Sequence, residues 1–313
     1  FYTNRFQTSI KNRRRLMALS FYILLLSKCL YKFYLQFTFN IFGKRFFVLA
    51  LLQLNNVKFS YSDKENDRFI LNIDNWEIFK GDFVSLIGPN GCGKSTLLKI
   101  IARLLHPSQG RIKYSGIDIS EIPLREYAKL VAYVPQSNYS IFPFSVYEIV
   151  MMGRTPYLGT LGFETDEDKS IVMEALEIMG IADLKLKGIN QISGGEAQRA
   201  FIARALAQKP KLILLDEPNA HLDIEHQLEI YELLNKLRIS QDLSIISVSH
   251  DLNLIGLYSD NISFMIDGEI SIQGKKEDVL TKENIKKILN VDTMIVTSNI
   301  SNSVNVLIKP VIE

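Results

Sequence analysis

Phe83-Val84-Ser85-Leu86-Ile87-Gly88-Pro89-Asn90-Gly91-Cys92-Gly93-Lys94-Ser95 is the stretch that decides the fold. Residues 83 to 87 read as a buried strand and residues 88 to 93 as a turn. The apolar positions 97, 98, 100, 101, 104 and 105 then predict a helix over Ser95–Leu105, buried on more than one face. Gly88 to Ser95 fits G-x-x-x-x-G-K-[ST] between a strand and a helix, the context that motif needs. Glycines there let backbone N–H groups converge into a nest around a β-phosphate, and the following helix adds its positive end. Lys94 then reaches the β/γ oxygens and the Ser95 hydroxyl ligates Mg²⁺. A glycine turn with a chance lysine is the bland alternative, and the flanking strand and helix argue against it. Cys92 reads as a small side chain whose thiol, at the phosphate rim, is open to alkylation.

The same alternation recurs downstream. Leu212–Leu215 reads as a strand into a helix over Ile224–Leu237, and Ser244–Ser249 as a strand into a helix over Asp251–Leu257. Repeated βα units predict an α/β fold with a mostly parallel sheet and helices on its faces. Between about 137 and 190 the pattern changes to a turn-rich stretch around Pro143 and Pro156 and a helix over Ser170–Met179, read as an inserted helical subdomain. Met294–Ile312 alternates weakly on either side of 299–302 and reads as a terminal hairpin. Leu212-Ile213-Leu214-Leu215-Asp216-Glu217 is an apolar strand ending in two acids. Asp216 suits a metal contact through water, and Glu217 suits polarising an attacking water. Two solvated acids at a strand end would be the alternative, weakened by the phosphate loop upstream.

Charge and composition divide the chain. Residues 1–50 hold nine Lys/Arg, no Asp or Glu, and 13 of the 32 aromatics, so residues 51–313 carry 27 basic against 34 acidic residues. That acidic body does not suggest nucleic acid as its partner. Three readings fit residues 1–50. Arg13-Arg14-Arg15 with the apolar Leu16–Ser27 resembles a signal peptide or anchor, though Lys28 and Lys32 limit the apolar run to about a dozen residues, short of a span. An amphipathic helix on a membrane surface is the second. The third is upstream sequence translated from a misplaced start, the protein beginning near Met17 or near Val48 to Leu51. Cys29 and Cys92 indicate no disulfide framework.

A phosphate loop and an acidic strand define a broad class that includes GTPases, helicases and kinases. Ile192-Ser193-Gly194-Gly195-Glu196-Ala197-Gln198-Arg199 narrows it. This resembles the signature motif of ABC ATPases, with Ile for the usual Leu and Glu for the frequent Gln, and lies 23 residues before Asp216. The resemblance covers about 52–290 and implies a P-loop NTPase (RecA-like) core with an antiparallel β part and an inserted α-helical subdomain. It assigns ATP and Mg²⁺ to the site, with Gly88 to Thr96 around the phosphates and Ser95, Gln136 and Asp216 at the metal. Gln136, after Val131-Ala132-Tyr133-Val134-Pro135, looks like the Q-loop glutamine; His250 looks like the switch histidine; Tyr61 fits the aromatic that stacks on adenine. Lys94, Gln136, Glu217 and His250 would be the catalytic set. Ala220-His221-Leu222-Asp223 resembles the D-loop, with Asn219 where Thr or Ser is frequent.

In this family the signature of one subunit closes on the ATP of another, so Ser193, Gly194, Gly195, Glu196 and Asp223 would serve a partner's nucleotide. The implied unit is a head-to-tail homodimer bound to integral-membrane permease subunits, and indirectly to a substrate-binding protein, at the cytoplasmic face of the membrane. Met152-Gly153-Arg154-Thr155-Pro156-Tyr157-Leu158-Gly159 and Ala220-His221-Leu222-Asp223-Ile224-Glu225-His226-Gln227 resemble the importer ATPases for siderophores, haem and cobalamin. Iron-chelate uptake leads among these. An exporter would normally be fused to or paired with another permease type. A ribosome-acting ABC ATPase would show two phosphate loops, and a DNA-repair one would need long heptads in the 99 residues from Lys94 to Ser193. A small-molecule kinase would not need Ser193 to Gly195, Gln136 and His250.

Overall fold

In the computed structural model, residues 49–61, 70–136, 142–159, 162–218, 222–298 and 303–309 are described. The expectations for residues 1–48 and for Asn219-Ala220-His221 lie outside the described residues, as does the start of the helical insert at 137–141. The strands are β1 (Leu52–Phe59), β2 (Leu71–Ile78), β3 (Phe83–Ile87), β4 (Gln109–Tyr114), β5 (Ile117–Asp118), β6 (Val131–Val134), β7 (Leu212–Asp216), β8 (Ser244–Val248), β9 (Asn261–Ile266), β10 (Glu269–Lys275), β11 (Thr293–Ser298) and β12 (Ser303–Ile308). The helices are α1 (Lys94–Ile101), α2 (Leu124–Leu130), α3 (Val146–Met151), α4 (Asp166–Ile178), α5 (Gly194–Ala207), α6 (Ile224–Gln241), α7 (Leu252–Tyr258), α8 (Lys276–Val279) and α9 (Lys282–Leu289).

Every residue of β3, β7 and β8 is buried, because the sheet that contains them is covered on both faces. Its order is β10-β9-β3-β8-β7-β6, parallel except for the β9–β10 pair. One face packs α1 and a second, antiparallel sheet ordered β2-β1-β4-β5, through Val84, Leu86, Leu97, Leu98 and Leu214. The other face carries the helical layer α3 to α6, through Phe83, Ile213, Leu215 and Ile245. Alternate residues of each central strand thus feed opposite cores. A third cluster gathers Ile255 of α7, Phe264 of β9, Ile285 of α9 and Val304 and Val306 of β12.

Two sequence expectations need correction. The helix after the phosphate loop stops at Ile101, because Arg103 turns left-handed (φ 59°) and Leu104 N–H bonds back to Lys99 C=O at 2.9 Å. Leu104 is therefore 61% exposed, where a longer helix would bury it. The helix expected over Ser170–Met179 begins earlier, at Asp166. Its first turn is acidic, so hydrophobic periodicity does not reveal it. Thr165 caps it, its hydroxyl accepting from Asp168 N–H at 3.1 Å while Asp168 Oδ2 accepts from Thr165 N–H at 3.0 Å. The terminal segment does form an antiparallel hairpin, with Ile295 opposite Val306. Among the described residues no helix is long and apolar enough to cross a membrane.

Asp168 also organises the Met152-to-Gly159 string. Arg154, 4% exposed, donates to Asp168 Oδ1 at 2.9 Å and to Ala207 C=O at 2.7 Å, and its guanidinium sits 3.8 Å from the Tyr157 ring centre. Burial raises the Asp168 pKa, but the bonds from Thr165 and Arg154 outweigh it and hold the carboxyl below its usual range. A Cβ at Gly153 would come 2.1 Å from Arg204 C=O, so only glycine lets this turn approach α5. On the other side Arg125 of α2 donates to Pro156 C=O at 2.8 Å. Gly153, Arg154 and Tyr157 thus hold internal contacts between helices.

Candidate functional site

Gly88 leaves β3 so close to β9 that a Cβ would stand 2.1 Å from Met265 C=O. Gly91 (φ 79°) and Gly93 (φ 107°) then adopt left-handed backbone, which curls the loop over the start of α1. Gly93 is the N-cap of α1 and supplies no side-chain cap, so the first N–H groups of the helix keep their capacity for a ligand. Lys94, 6% exposed, threads back under the loop and donates to Gly88 C=O and Pro89 C=O, both at 2.9 Å. Among the described residues no carboxylate comes within ion-pair distance of it. With two carbonyls and the Cys92 sulfur, 4.0 Å away, as its partners, the buried ammonium keeps a net positive charge, and the nearest way to neutralise it is an anion in the loop. Cys92 is 5% exposed, and burial pushes its thiol pKa up against the pull of Lys94. The thiol is therefore shielded and protonated, which corrects the expectation of an alkylation target.

The two acids of β7 occupy different environments. Asp216, 2% exposed, accepts from the Ser95 hydroxyl at 2.9 Å through Oδ1 and from the Tyr133 hydroxyl at 3.1 Å through Oδ2. Burial pushes its pKa up, and these two bonds oppose that rise. The Tyr133 phenol is raised well above its usual range, by burial first and by the adjacent Asp216 second, so its proton stays in place as a donor. Glu217 leaves the strand with φ 51°, an unusual conformation for this residue type. Successive strand residues face opposite ways, and this turn brings Glu217 onto the cavity, whereas Asp216 stays buried behind Ser95 and does not line it. The Glu217 carboxylate accepts from Gln136 Nε2 at 2.7 Å, and its other oxygen lies 3.0 Å from His250 Nε2.

One cavity of about 530 Å³ is lined by Tyr61, Asn90, Gly91, Gly93, Lys94, Ser95, Thr96, Gln136, Glu217 and His250. Tyr61 stands at its edge, 61% exposed, set edge-on to Phe59 with ring centres 4.9 Å apart and its hydroxyl 3.0 Å from Thr96 Oγ1. Ser193, Gly194, Gly195 and Glu196 do not line it. Ser193 instead caps α5, its hydroxyl accepting from Glu196 N–H at 3.3 Å and donating to Glu196 Oε2 at 2.8 Å. Asp223 is likewise outside the cavity, capping α6 by accepting from His226 N–H at 2.9 Å. The residues singled out in the sequence therefore fall into a phosphate-side group that converges and a second group that does not join it within one chain. Tyr133 carried no role in the sequence reading. The signal was available, since a tyrosine one residue before the end of its strand sits beside the acidic strand whenever the two strands pair.

A parallel sheet with a phosphate loop between β3 and α1, and paired acids at the tip of β7, one strand removed from β3 across β8, defines a P-loop nucleoside triphosphatase. The ABC transporter family pattern matches residues 71–220. The iron(3+)-hydroxamate import ATP-binding protein FhuC of Bacillus subtilis (strain 168) is 39% identical over 236 residues, which are 75% of this chain and 88% of that protein. Relatives between 35% and 39% identical are named for import of petrobactin or cobalamin and for manganese transport. Among solved structures, an inward-facing metal-chelate type ABC transporter superposes with a TM-score of 0.72 at 28% identity, over 84% of this chain and 98% of that one. A dimeric ATP-binding cassette in a post-hydrolysis state with ADP and Pi gives 0.62 at 30% identity, over 72% and 98%. The chain belongs to the ABC transporter ATP-binding proteins, and its activity is the binding and hydrolysis of ATP.

Proposed function

We propose that this protein drives uptake of an iron–siderophore complex, as a homodimer docked on integral-membrane permease subunits at the cytoplasmic face of the membrane, with a substrate-binding protein delivering the cargo. The carrying observation for its chemistry is the buried Lys94 ammonium, held by two carbonyls and the Cys92 sulfur with no carboxylate in ion-pair reach among the described residues, in a cavity walled by Glu217, Gln136 and His250. Lys94 and the loop N–H groups at the start of α1 bind the phosphates, and the exposed Tyr61 ring offers a face to the adenine. Glu217, held on one side by Gln136 and on the other by His250, accepts a hydrogen bond from the attacking water and polarises it. His250 then contacts the terminal phosphate.

The donor set fits Mg²⁺. Ser95 and Asp216 offer hard oxygens 2.9 Å apart, with Gln136 nearby, and among the described residues no cluster of three or more His, Cys, Asp or Glu would favour another metal. Magnesium binds through one or two protein oxygens and the phosphates themselves, and it supplies charge neutralisation there. The signature turn lies outside the chain's own cavity, which supports its use by a second copy, and the dimeric cassette with ADP and Pi supports the same unit. Iron chelate as cargo is supported by the names of relatives at 38% to 39% identity. Cobalamin is the second reading, supported by a relative at 35%. The test is uptake of labelled ferric chelates, haem and cobalamin in a deletion strain carrying the wild type or Glu217→Gln. Ferric chelate should accumulate only with the wild type; accumulation of cobalamin or haem instead would overturn the iron assignment.

A further inference from the structure

We propose that Tyr133 is a positioning residue for Asp216, holding that carboxylate in the orientation from which it serves the metal; this rests on the magnesium reading above. β6 and β7 are parallel with Tyr133 opposite Leu214, so Asp216, two residues on, projects from the same sheet face. A tyrosine is long enough to span that diagonal. Its ring packs into the cluster formed by α1 and the sheet, and its hydroxyl donates to Asp216 Oδ2 at 3.1 Å. The two oxygens of the carboxylate are thereby divided: Oδ2 goes to the phenol, and Oδ1 faces Ser95 at 2.9 Å. With Asp216 2% exposed, bulk water cannot stand in for a lost phenol. Removing the hydroxyl frees the carboxylate to rotate and strands Oδ2 in the interior, which misdirects the lone pairs that Oδ1 presents.

The consequence is confined to the metal. Tyr133 does not line the nucleotide cavity, and Lys94 and the loop N–H groups do not depend on it. Tyr133→Phe keeps the ring and removes only the oxygen. Binding of Mn²⁺ in the presence of ADP, followed by electron paramagnetic resonance, should weaken about tenfold, as for other groups that orient a metal-binding carboxylate. Binding of ADP in EDTA should not change. A tyrosine that served packing alone would lower the thermal midpoint and leave Mn²⁺ affinity at the wild-type value, and that result would overturn the proposal. Ser95→Ala is measured alongside. If it weakens Mn²⁺ binding and Tyr133→Phe does not, Tyr133 alone is misassigned; if neither does, the metal reading falls with it.

Discussion

Two helices of this protein begin at glycine-bearing turns, α1 after Gly88 to Gly93 and α5 after Ser193, and their N-termini are built in opposite ways. At α1 the N-cap is Gly93 in left-handed backbone with no side-chain cap. At α5 the N-cap is Ser193 in extended backbone, closed by a reciprocal capping box with Glu196. A helix start leaves its first N–H groups without partners inside the helix. The first terminus leaves them for a ligand and places a buried ammonium beneath. The second satisfies part of its own need, with the Glu196 carboxylate resting on the Ser193 N–H at 2.7 Å and on its hydroxyl at 2.8 Å. Similar-looking glycine turns therefore differ in what they offer. The open one is ready for phosphate in the single chain, and the closed one must release Ser193 from Glu196 before that hydroxyl can serve another anion.

The largest test asks whether the two termini meet across a dimer. Ser193→Arg and Lys94→Ala should each cut ATP turnover by more than about 100-fold, the loss seen when one preorganised charge-stabilising group is removed. Mixed together they should recover turnover, since one composite site then has both wild-type halves; a mixture that stays inactive would place the signature in cis. A second test removes a contact at the far end of the same helix, where Arg154 joins Ala207 of α5 to Asp168 of α4. Arg154→Ala strips the partner from the buried Asp168 and should cost about 3–5 kcal/mol in urea unfolding. A cost typical of exposed pairs, under about 1 kcal/mol, would mean that the buried ion pair does not stiffen the helical layer.

The smallest test sharpens the capping contrast itself. The Ser193 N–H and hydroxyl hold the Glu196 carboxyl below its usual range. A lowered folded pKa contributes stability above the unfolded value of about 4.3, and the contribution is lost as pH falls through the folded value. Glu196→Gln should accordingly melt below the wild type at neutral pH, with the gap closing as pH drops under about 4. A gap that ignores pH would mean that charge plays no part in this cap.

How much could be read in advance differs from element to element for physical reasons. The strand Phe83–Ile87 and the phosphate loop were legible because each is specified by neighbours in sequence. β1 and β2 were not, since their alternation slips at Asn55-Asn56, where Asn56 turns to φ 50° and the pairing with β4 shifts register. Helix α4 hid its start behind an acidic first turn. The string Gly153-Arg154-Thr155-Pro156-Tyr157 was legible only as a resemblance, and the internal contacts of its glycine, arginine and tyrosine come from the structure.

By itself the sequence determined the chemistry on offer: a loop that must curl around phosphate, two acids at a strand tip, and a capped glycine turn. These are local, since turn conformation and capping depend on residues a few positions apart. Only the tertiary structure decided which groups share a cavity. Strand pairing set Tyr133 beside Asp216, and a left-handed backbone at Glu217 swung that acid between Gln136 and His250. Packing of the helical layer left Ser193 to Gly195 outside the chain's own phosphate cavity. Such distances follow from the register and packing of elements far apart in the chain, which no local pattern encodes.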